Sequence, residues 1–465
     1  MNLKGMIWGC LMTIFVISAS AERTYKYRVN LRDKVGTVYS VDKPEEFLSG
    51  RALARRNRQQ LLVDETDLPV SQVYVQELLG LGTRLVTTSK WNNTVVIEVE
   101  DTLLMDQVAS MPFVAQVKKV WTQPDSIPLR NKNRKKEVDN DVKKTGNLYG
   151  KAFQQINIHG GDSLHAAGFT GKGMHVAVID AGFYNADEIK FFKNLDLLGI
   201  RDFVNPDSDI YEEHSHGMMV LSCMAANKKK VFVGTAPEAS YWLLRSEDDD
   251  TEQPVEEDYW VAAIEFADSV GVDVVNTSLG YYYFDEGYEA YHYRDLDGHT
   301  SLMSHSASMA ADKGIVVVCS AGNSGADAWK KVTPPGDAEN ILVVGALTKE
   351  LTNADFSSIG NTADGRIKPD VMAIGAPSVV SGKDGTVSKA NGTSFASPTM
   401  CGVVVCFWQS CPWLSAKEVV KAVQQAGDRA DFPDNIYGYG VPNLWKAYLK
   451  LNEHRDADSQ RNNKE

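Results

Sequence analysis

The stretch "HVAVIDAGF", residues 175–183, joins a strand pattern to a polar end. Four consecutive apolar residues, 176–179, make both faces of a strand apolar, which is typical of a central strand in a parallel sheet. Asp180 closes the strand, and Gly182 indicates a turn. Binding sites in open α/β sheets lie at these carboxyl ends, although an aspartate there can also simply cap a turn. Asp180 is therefore a candidate site residue.

Similar apolar runs recur along the rest of the chain and alternate with helix-like segments. The further predicted strands are "ASYWLLR" (239–245), "VDVVNTSLG" (272–280), "GIVVVCSAG" (314–322) and "ENILVVGAL" (339–347). The predicted helices are "HGMMVLSCMAANK" (216–228), "EEDYWVAAIEFADSVG" (256–271) and "HTSLMSHSASMAADKG" (299–314). This βαβ alternation predicts an α/β domain over residues 151–451, with a central, mostly parallel sheet between two layers of helices.

Residues 22–121 predict a separate, small α+β domain of the ferredoxin-like kind. Its predicted strands are 24–31, 83–90, 93–100 and 113–121, and its predicted helices are 44–62, 70–82 and 101–111, the last capped by Asp101. A charged linker follows at 122–150, and its composition is typical of exposed chain that is open to cleavage. The polar tail at 452–465 is predicted to be disordered.

Charge is distributed unevenly over the 465 residues, whose net charge is -13. Residues 22–150 carry 21 Lys+Arg against 17 Asp+Glu, whereas residues 151–465 carry 26 against 44. A basic front part should therefore be attracted to an acidic back part. The overall acidity argues against nucleic acid as a partner, since phosphate binding requires basic surface.

Residues 1–21 are interpreted as a secretory signal peptide. Lys4 precedes an apolar run, and Ala19-Ser20-Ala21 forms a small-residue cleavage site. The protein is therefore expected to be secreted or periplasmic, with no membrane association after signal cleavage. An uncleaved membrane anchor, or a lipoprotein through Cys10, is the alternative. The other five cysteines are an odd number and are predicted to be mainly buried thiols.

Three further polar residues stand where secondary elements begin or end. His216 opens a helix, with His214 as a rival whose ring should point to the opposite side of an extended segment. Asn323 lies in "SAGNSG", and Ser394 lies in "NGTSFASPTM". Each has an ordinary structural explanation by itself, but together they have the Asp–His–Ser order of one known type of serine hydrolase triad.

The motifs "VAVIDAGF", "HSHGMMV", "SAGNSG" and "NGTSFASPTMCGVV" resemble those of the subtilisin-like serine proteases, the subtilase or peptidase S8 family. The resemblance spans residues 176–405. Ala181, Met218 and Met219 depart from the usual pattern but spare the reacting groups. The front domain resembles a subtilase propeptide in its position and topology, which implies a zymogen that interacts with its own propeptide.

The resemblance implies a secreted serine endopeptidase acting on polypeptides. Asp180, His216 and Ser394 would form the triad, with Asn323 in the oxyanion hole. Ser278-Leu279-Gly280 and Ser320-Ala321-Gly322 would line the substrate cleft. No cofactor is expected to be required; structural calcium occurs in the family, but no clear ligand motif supports it here. A catalytically silent peptide-binding pseudoprotease and an esterase are the alternatives.

The acidic stretch "SEDDDTEQPVEED", residues 246–258, has two interpretations. It could lie at the cleft rim and favour basic substrates, or it could be a solvated loop before a helix.

Overall fold

The N-terminal domain is an antiparallel sheet packed against helices. The computed structural model describes residues 23–126 and 144–462, so the predicted signal peptide lies outside the described residues. The elements are β1 (Tyr25–Leu31), α1 (Gly50–Arg58), α2 (Gln72–Leu79), β2 (Arg84–Ser89), β3 (Thr94–Val99), α3 (Leu104–Ala109) and β4 (Val114–Thr122). The strand order β2-β3-β1-β4 confirms the predicted α+β topology.

Two local predictions in this domain are wrong. The helix predicted from residue 44 begins at Gly50, because the side chain of Ser49 caps it by accepting a hydrogen bond from Ala52 N. Asp101 does not cap α3; its carboxylate accepts from Leu103 N at 2.9 Å and so closes the turn that precedes the helix.

The second domain contains eleven strands among the described residues, and seven of them form one parallel sheet. Its strands are β5 (His175–Asp180), β6 (Asp196–Asp202), β7 (Asn227–Lys228), β8 (Phe232–Val233), β9 (Ser240–Arg245), β10 (Val274–Thr277), β11 (Val316–Ser320), β12 (Leu342–Thr348), β13 (Val371–Ala376), β14 (Ser378–Ser381) and β15 (Val387–Ala390). Its helices are α4 (Phe153–Asn157), α5 (Gly161–Ala166), α6 (His216–Ala225), α7 (Val255–Val270), α8 (Leu302–Asp312), α9 (Thr393–Ser410), α10 (Ala416–Gln425) and α11 (Leu444–Asn462). The main sheet has the order β13-β12-β11-β10-β5-β9-β6, which confirms the predicted α/β fold.

Strand β5 shows how the three layers are built. Val176 and Val178 face the core that contains α6 and α9, whereas Ala177 and Ile179 face the core that contains α7 and α8. All four side chains are completely buried. Burying a side chain of the size of Val or Ile contributes about 1.5–3 kcal/mol. The apolar run therefore holds Asp180 at the carboxyl end of a central strand whose two faces are both covered.

The two domains meet through buried ion pairs, as the uneven charge predicted. Asp268 of α7 accepts from Arg55 at 2.5 Å, from Arg56 at 2.9 Å and from Lys90 at 3.1 Å. Nearby, Glu265 accepts from the backbone N–H groups of Lys90, at 2.8 Å, and Trp91, at 3.0 Å. Acidic side chains of α7 thus bind cations and amides of the N-terminal domain.

At the other end of the chain, α11 continues to Asn462, so the prediction of a disordered tail is wrong for residues 452–462. The Arg455 guanidinium lies 4.2 Å from the Trp413 ring centroid and links this helix to the domain. The prediction for the cysteines is confirmed: the five in the described residues are all free and buried.

Candidate active site

Asp180 and His216 form a hydrogen-bonded pair at the carboxyl edge of the sheet. Asp180 is completely buried, and His216 Nδ1 lies 2.7 Å from its Oδ1. An ionised carboxylate can only accept, so Nδ1 carries the proton and Nε2 of the neutral ring is an acceptor. Burial disfavours the charged imidazole, but the negative charge of Asp180 more than offsets this and raises the pKa of His216.

The residue after His216 allows this close approach. A Cβ on Gly217 would lie 2.5 Å from Gly182 O and 2.8 Å from Asp180 Cβ. A larger residue would therefore push α6 away from the carboxylate.

The prediction that His214 and His216 point to opposite sides is wrong. Ser215 between them has helical dihedrals, φ -85° and ψ -4°, rather than extended ones. The two rings consequently stack with centroids 6.4 Å apart, and both line one cavity. Only His216 pairs with Asp180, while His214 Nε2 lies 3.8 Å from Asp249.

Ser394 is the second residue of α9, where backbone N–H groups have no acceptor within the helix. Gly392 caps this end at φ 154° and ψ 147°, a conformation suited to glycine. The Ser394 hydroxyl donates to Ser278 O at 3.4 Å. It must therefore turn away from Ser278 O to reach an imidazole, as hydroxyls in substrate-free active sites often must.

Pro398 lies inside α9 and beyond its first turn. In this second turn, its missing N–H would have bonded Ser394 O. That carbonyl instead accepts from Ser278 Oγ at 2.9 Å. The proline thus frees a carbonyl that ties α9 to the segment after β10.

Asn323 follows β11 and is oriented by Thr393. Its Oδ1 accepts from Thr393 N at 2.9 Å and from Thr393 Oγ1 at 3.0 Å. Because a backbone N–H can only donate, the oxygen of the amide must face Thr393, and the NH₂ group is left as a donor on the other side. Asn323 lines the same cavity as Ser394. Thr393 is a positioning residue that sequence reasoning missed.

A cavity of about 330 Å³ brings these groups together. The side chains and backbone that line it include His216, Asn323, Ser394, Ser278, Leu279, Gly280, Ser320 and Gly322. The structure therefore brings together all but one of the predicted cleft residues. The exception is Ala321, which is completely buried in the core with α7 and α8, because its side chain points to the opposite face of the extended chain.

Two acidic residues of the stretch 246–258 also line the cavity. Burial, with Asp180 as the next contribution, raises the pKa of Glu247 to about 8. Burial, followed by Asp285, raises the pKa of Glu252 to about 7. The solvated-loop interpretation is wrong for the end of the stretch, because Glu256, Glu257 and Asp258 are buried in the first turn of α7, whereas Asp249 in the preceding loop is exposed.

Residues 171–440 match the profile described as "Subtilase family", which covers more than half of the chain. The chain belongs to the subtilase family. Residues 26–139 match "Peptidase S8 propeptide domain, Bacteroidota", so the N-terminal domain is a propeptide domain.

Curated relatives agree with this assignment. Subtilisin DY of Bacillus licheniformis is 30% identical over 292 residues, which is 62% of this chain and 94% of that protein. Serine protease AprX of Bacillus subtilis is 29% identical over 321 residues, 59% of this chain and 66% of that protein. Subtilisin E of Bacillus subtilis is 30% identical over 259 residues, 55% of this chain and 61% of that protein. This subtilase is a serine-type endopeptidase that acts on polypeptides.

None of the helices in residues 23–126 and 144–462 is both long and apolar enough to span a membrane. Within the same ranges, no group of three or more His, Cys, Asp or Glu side chains is arranged to hold a metal ion. The expectation that calcium could be structural stays a prediction, as do the domain boundaries at residues 21, 121, 150 and 451.

Proposed function

We propose that this subtilase hydrolyses peptide bonds with Ser394 as nucleophile, His216 as general base and acid, and Asp180 as the group that orients the imidazole. The 2.7 Å contact between His216 Nδ1 and Asp180 Oδ1 is the observation that carries the proposal. It keeps the acceptor Nε2 available to the cavity that Ser394 also lines.

The reaction then proceeds through an acyl-enzyme. The Ser394 hydroxyl turns from Ser278 O to His216 Nε2, gives up its proton and attacks the substrate carbonyl. The new C–O⁻ group accepts hydrogen bonds from Asn323 Nδ2 and the Ser394 backbone N–H at the start of α9. His216 delivers its proton to the leaving amine, and water repeats the sequence to release the acid.

We further propose that the protein is secreted and is made as a zymogen. The ion pairs between Asp268 and three cations of the propeptide domain support an inhibitory domain that stays docked until it is released. The cut would lie between Gln123 and Lys144. The residues after this segment already pack against the catalytic domain, since Thr145 N donates to Lys230 O at 2.9 Å and Tyr149 is buried.

The test compares the chain without residues 1–21 with its Ser394→Ala variant. Intact mass, N-terminal sequencing and casein hydrolysis would be measured for both. We expect the first protein alone to lose its propeptide domain and hydrolyse casein. Equal casein hydrolysis by both would remove Ser394 from the mechanism, and no hydrolysis by either after added protease cuts the linker would favour a silent peptide-binding protein.

A further inference from the structure

One side of the cleft carries two acidic side chains, and the charge of the His216 imidazole acts on one of them, Glu247. Glu247 and Glu252 line the cavity with His216 and Ser394, and neither forms an ion pair with the described residues. Arg245, two residues before Glu247 in the sequence, binds another carboxylate: its guanidinium lies 2.9 Å from Asp202. We call Glu247 and Glu252 the acidic wall. Carboxylates held beside one another without a cation are electrostatically unfavourable.

The backbone holds the acidic wall against the opposite loop. Glu252 N donates to Asp285 Oδ2 at 3.1 Å, and Asp285 N donates to Glu252 O at 2.7 Å. The negative charge of Asp285 also acts on the Glu252 carboxylate. Glu252 is therefore held in the cleft rather than free on a surface loop.

A buried tyrosine lines the same cavity. Tyr281 is 3% exposed, and its hydroxyl interacts with the carboxylate of Glu256, a third acidic residue on this side of the cleft. Tyr282 and Tyr283 continue the lining with aromatic faces, and Tyr282 is held by stacking on Trp329 with centroids 4.6 Å apart. Carboxylates and aromatic faces are the groups that bind a long cationic side chain and its methylene stem.

We propose that the acidic wall is a subsite selecting a Lys or Arg side chain of the polypeptide substrate. The ammonium or guanidinium group binds Glu247 and Glu252, and its stem lies along the tyrosines. The inference rests on the proposed peptidase function and specifies the substrates of that site. Asp248, Asp249 and Asp250 have contacts of their own and are not needed for it.

The chain itself contains a matching substrate sequence. The end of β4 lies next to the wall, because Gln253 accepts from Thr122 N at 2.8 Å and donates to Thr122 O at 3.1 Å. Only a few residues further along, the sequence of the linker contains Arg130, Lys132, Arg134, Lys135 and Lys136. A Lys- or Arg-selective cleft could thus cut its own linker within this basic segment.

The experiment measures kcat/KM for a peptide set in which Lys, Arg, norleucine or Glu replaces each position around one scissile bond. Norleucine keeps most of the lysine stem without its charge. We expect one position at which Lys exceeds norleucine by at least about tenfold, the loss typical of one charge-assisted hydrogen bond. The Glu247→Gln/Glu252→Gln enzyme should lose that ratio. The matched control, Glu286→Gln/Glu289→Gln, removes two exposed charges from the neighbouring loop and should keep it.

A Lys-to-norleucine ratio near one at every position, or an undiminished ratio in the Glu247→Gln/Glu252→Gln enzyme, would overturn the proposal while leaving the peptidase assignment intact. Failure of the peptidase assignment looks different. In that case every peptide would be cleaved no faster than by Ser394→Ala, and the subsite proposal would fall with it.

Discussion

Asp268→Asn should weaken the docking of the propeptide domain without disturbing the catalytic sheet. The change keeps the side-chain volume but removes the negative charge that faces Arg55 and Arg56, whose side chains are both 1% exposed. Breaking a buried ion pair costs about 3–5 kcal/mol. We expect the lower end of this range, because Arg55 still donates a hydrogen bond to Val272 O at 2.6 Å and Arg56 still donates one to Asp67 at 2.6 Å. A loss of about 3 kcal/mol lowers the docking constant roughly 150-fold.

The assay is urea unfolding of the uncut Ser394→Ala protein, with hydrogen exchange of α7 reporting on docking. With a denaturant dependence of about 1–3 kcal/mol/M, the α7 transition should move to lower urea by about 1–3 M. Asp312→Asn is the matched control: its pair with Lys417 is 2.7 Å long but more than half exposed, and such pairs contribute about 0–1 kcal/mol. If both variants shifted the α7 transition equally, the buried ion pairs would not be what holds the domains together.

Four further outcomes are expected, three at the active site and one for the buried cysteines. Asn323→Ala should lower kcat about 10²–10³-fold with little change in KM, because it removes one oxyanion donor. Thr393→Val removes one contact to that amide and should lower kcat about tenfold. Stopped-flow peptide assays distinguish both effects from a binding defect. Glu247→Gln should raise Tm at pH 9 but not near pH 4: the folded pKa of about 8 lies above the unfolded value of about 4.3, so ionisation between these values costs stability that the amide does not lose. A large gain at pH 4 would contradict this. The five buried cysteines should resist a thiol reagent in the native mature enzyme and all react after unfolding, as counted by mass spectrometry.

Sequence patterns predicted the central strands well but missed the strands at the sheet edges. β5 is apolar on both faces, whereas β6 lies at one edge and leaves Leu197 and Ile200 about 40% exposed, so its pattern is mixed. At the other edge, β13 is as long as β5 and is buried from Val371 to Ile374, but it follows Lys368-Pro369, which reads as a turn. β6 has one neighbouring strand and one uncovered side, so its composition is less constrained.

Only those residues of the candidate site that lie in recognisable local motifs could be predicted from the sequence. Asp180, His216, Asn323 and Ser394 lie in local patterns, and the structure brings them to one edge. The stacking of His214 on His216 depends on one pair of dihedrals at Ser215, which composition does not report. The acidic wall needs Glu252 to be pinned by Asp285, 33 residues away, so no local pattern could show which acids of the stretch enter the cleft.

The carbonyl that Pro398 leaves free has a consequence for how this protease can change. Ser278 Oγ holds that carbonyl, and Ser278 O receives the Ser394 hydroxyl, so one residue of the cleft contacts the nucleophile through both its backbone and its side chain. A substitution at Ser278 made to widen the cleft would also shift the nucleophile. Substrate preference and turnover are therefore linked at this position, and also at Glu247, whose negative charge adds to that of Asp180 in raising the pKa of His216.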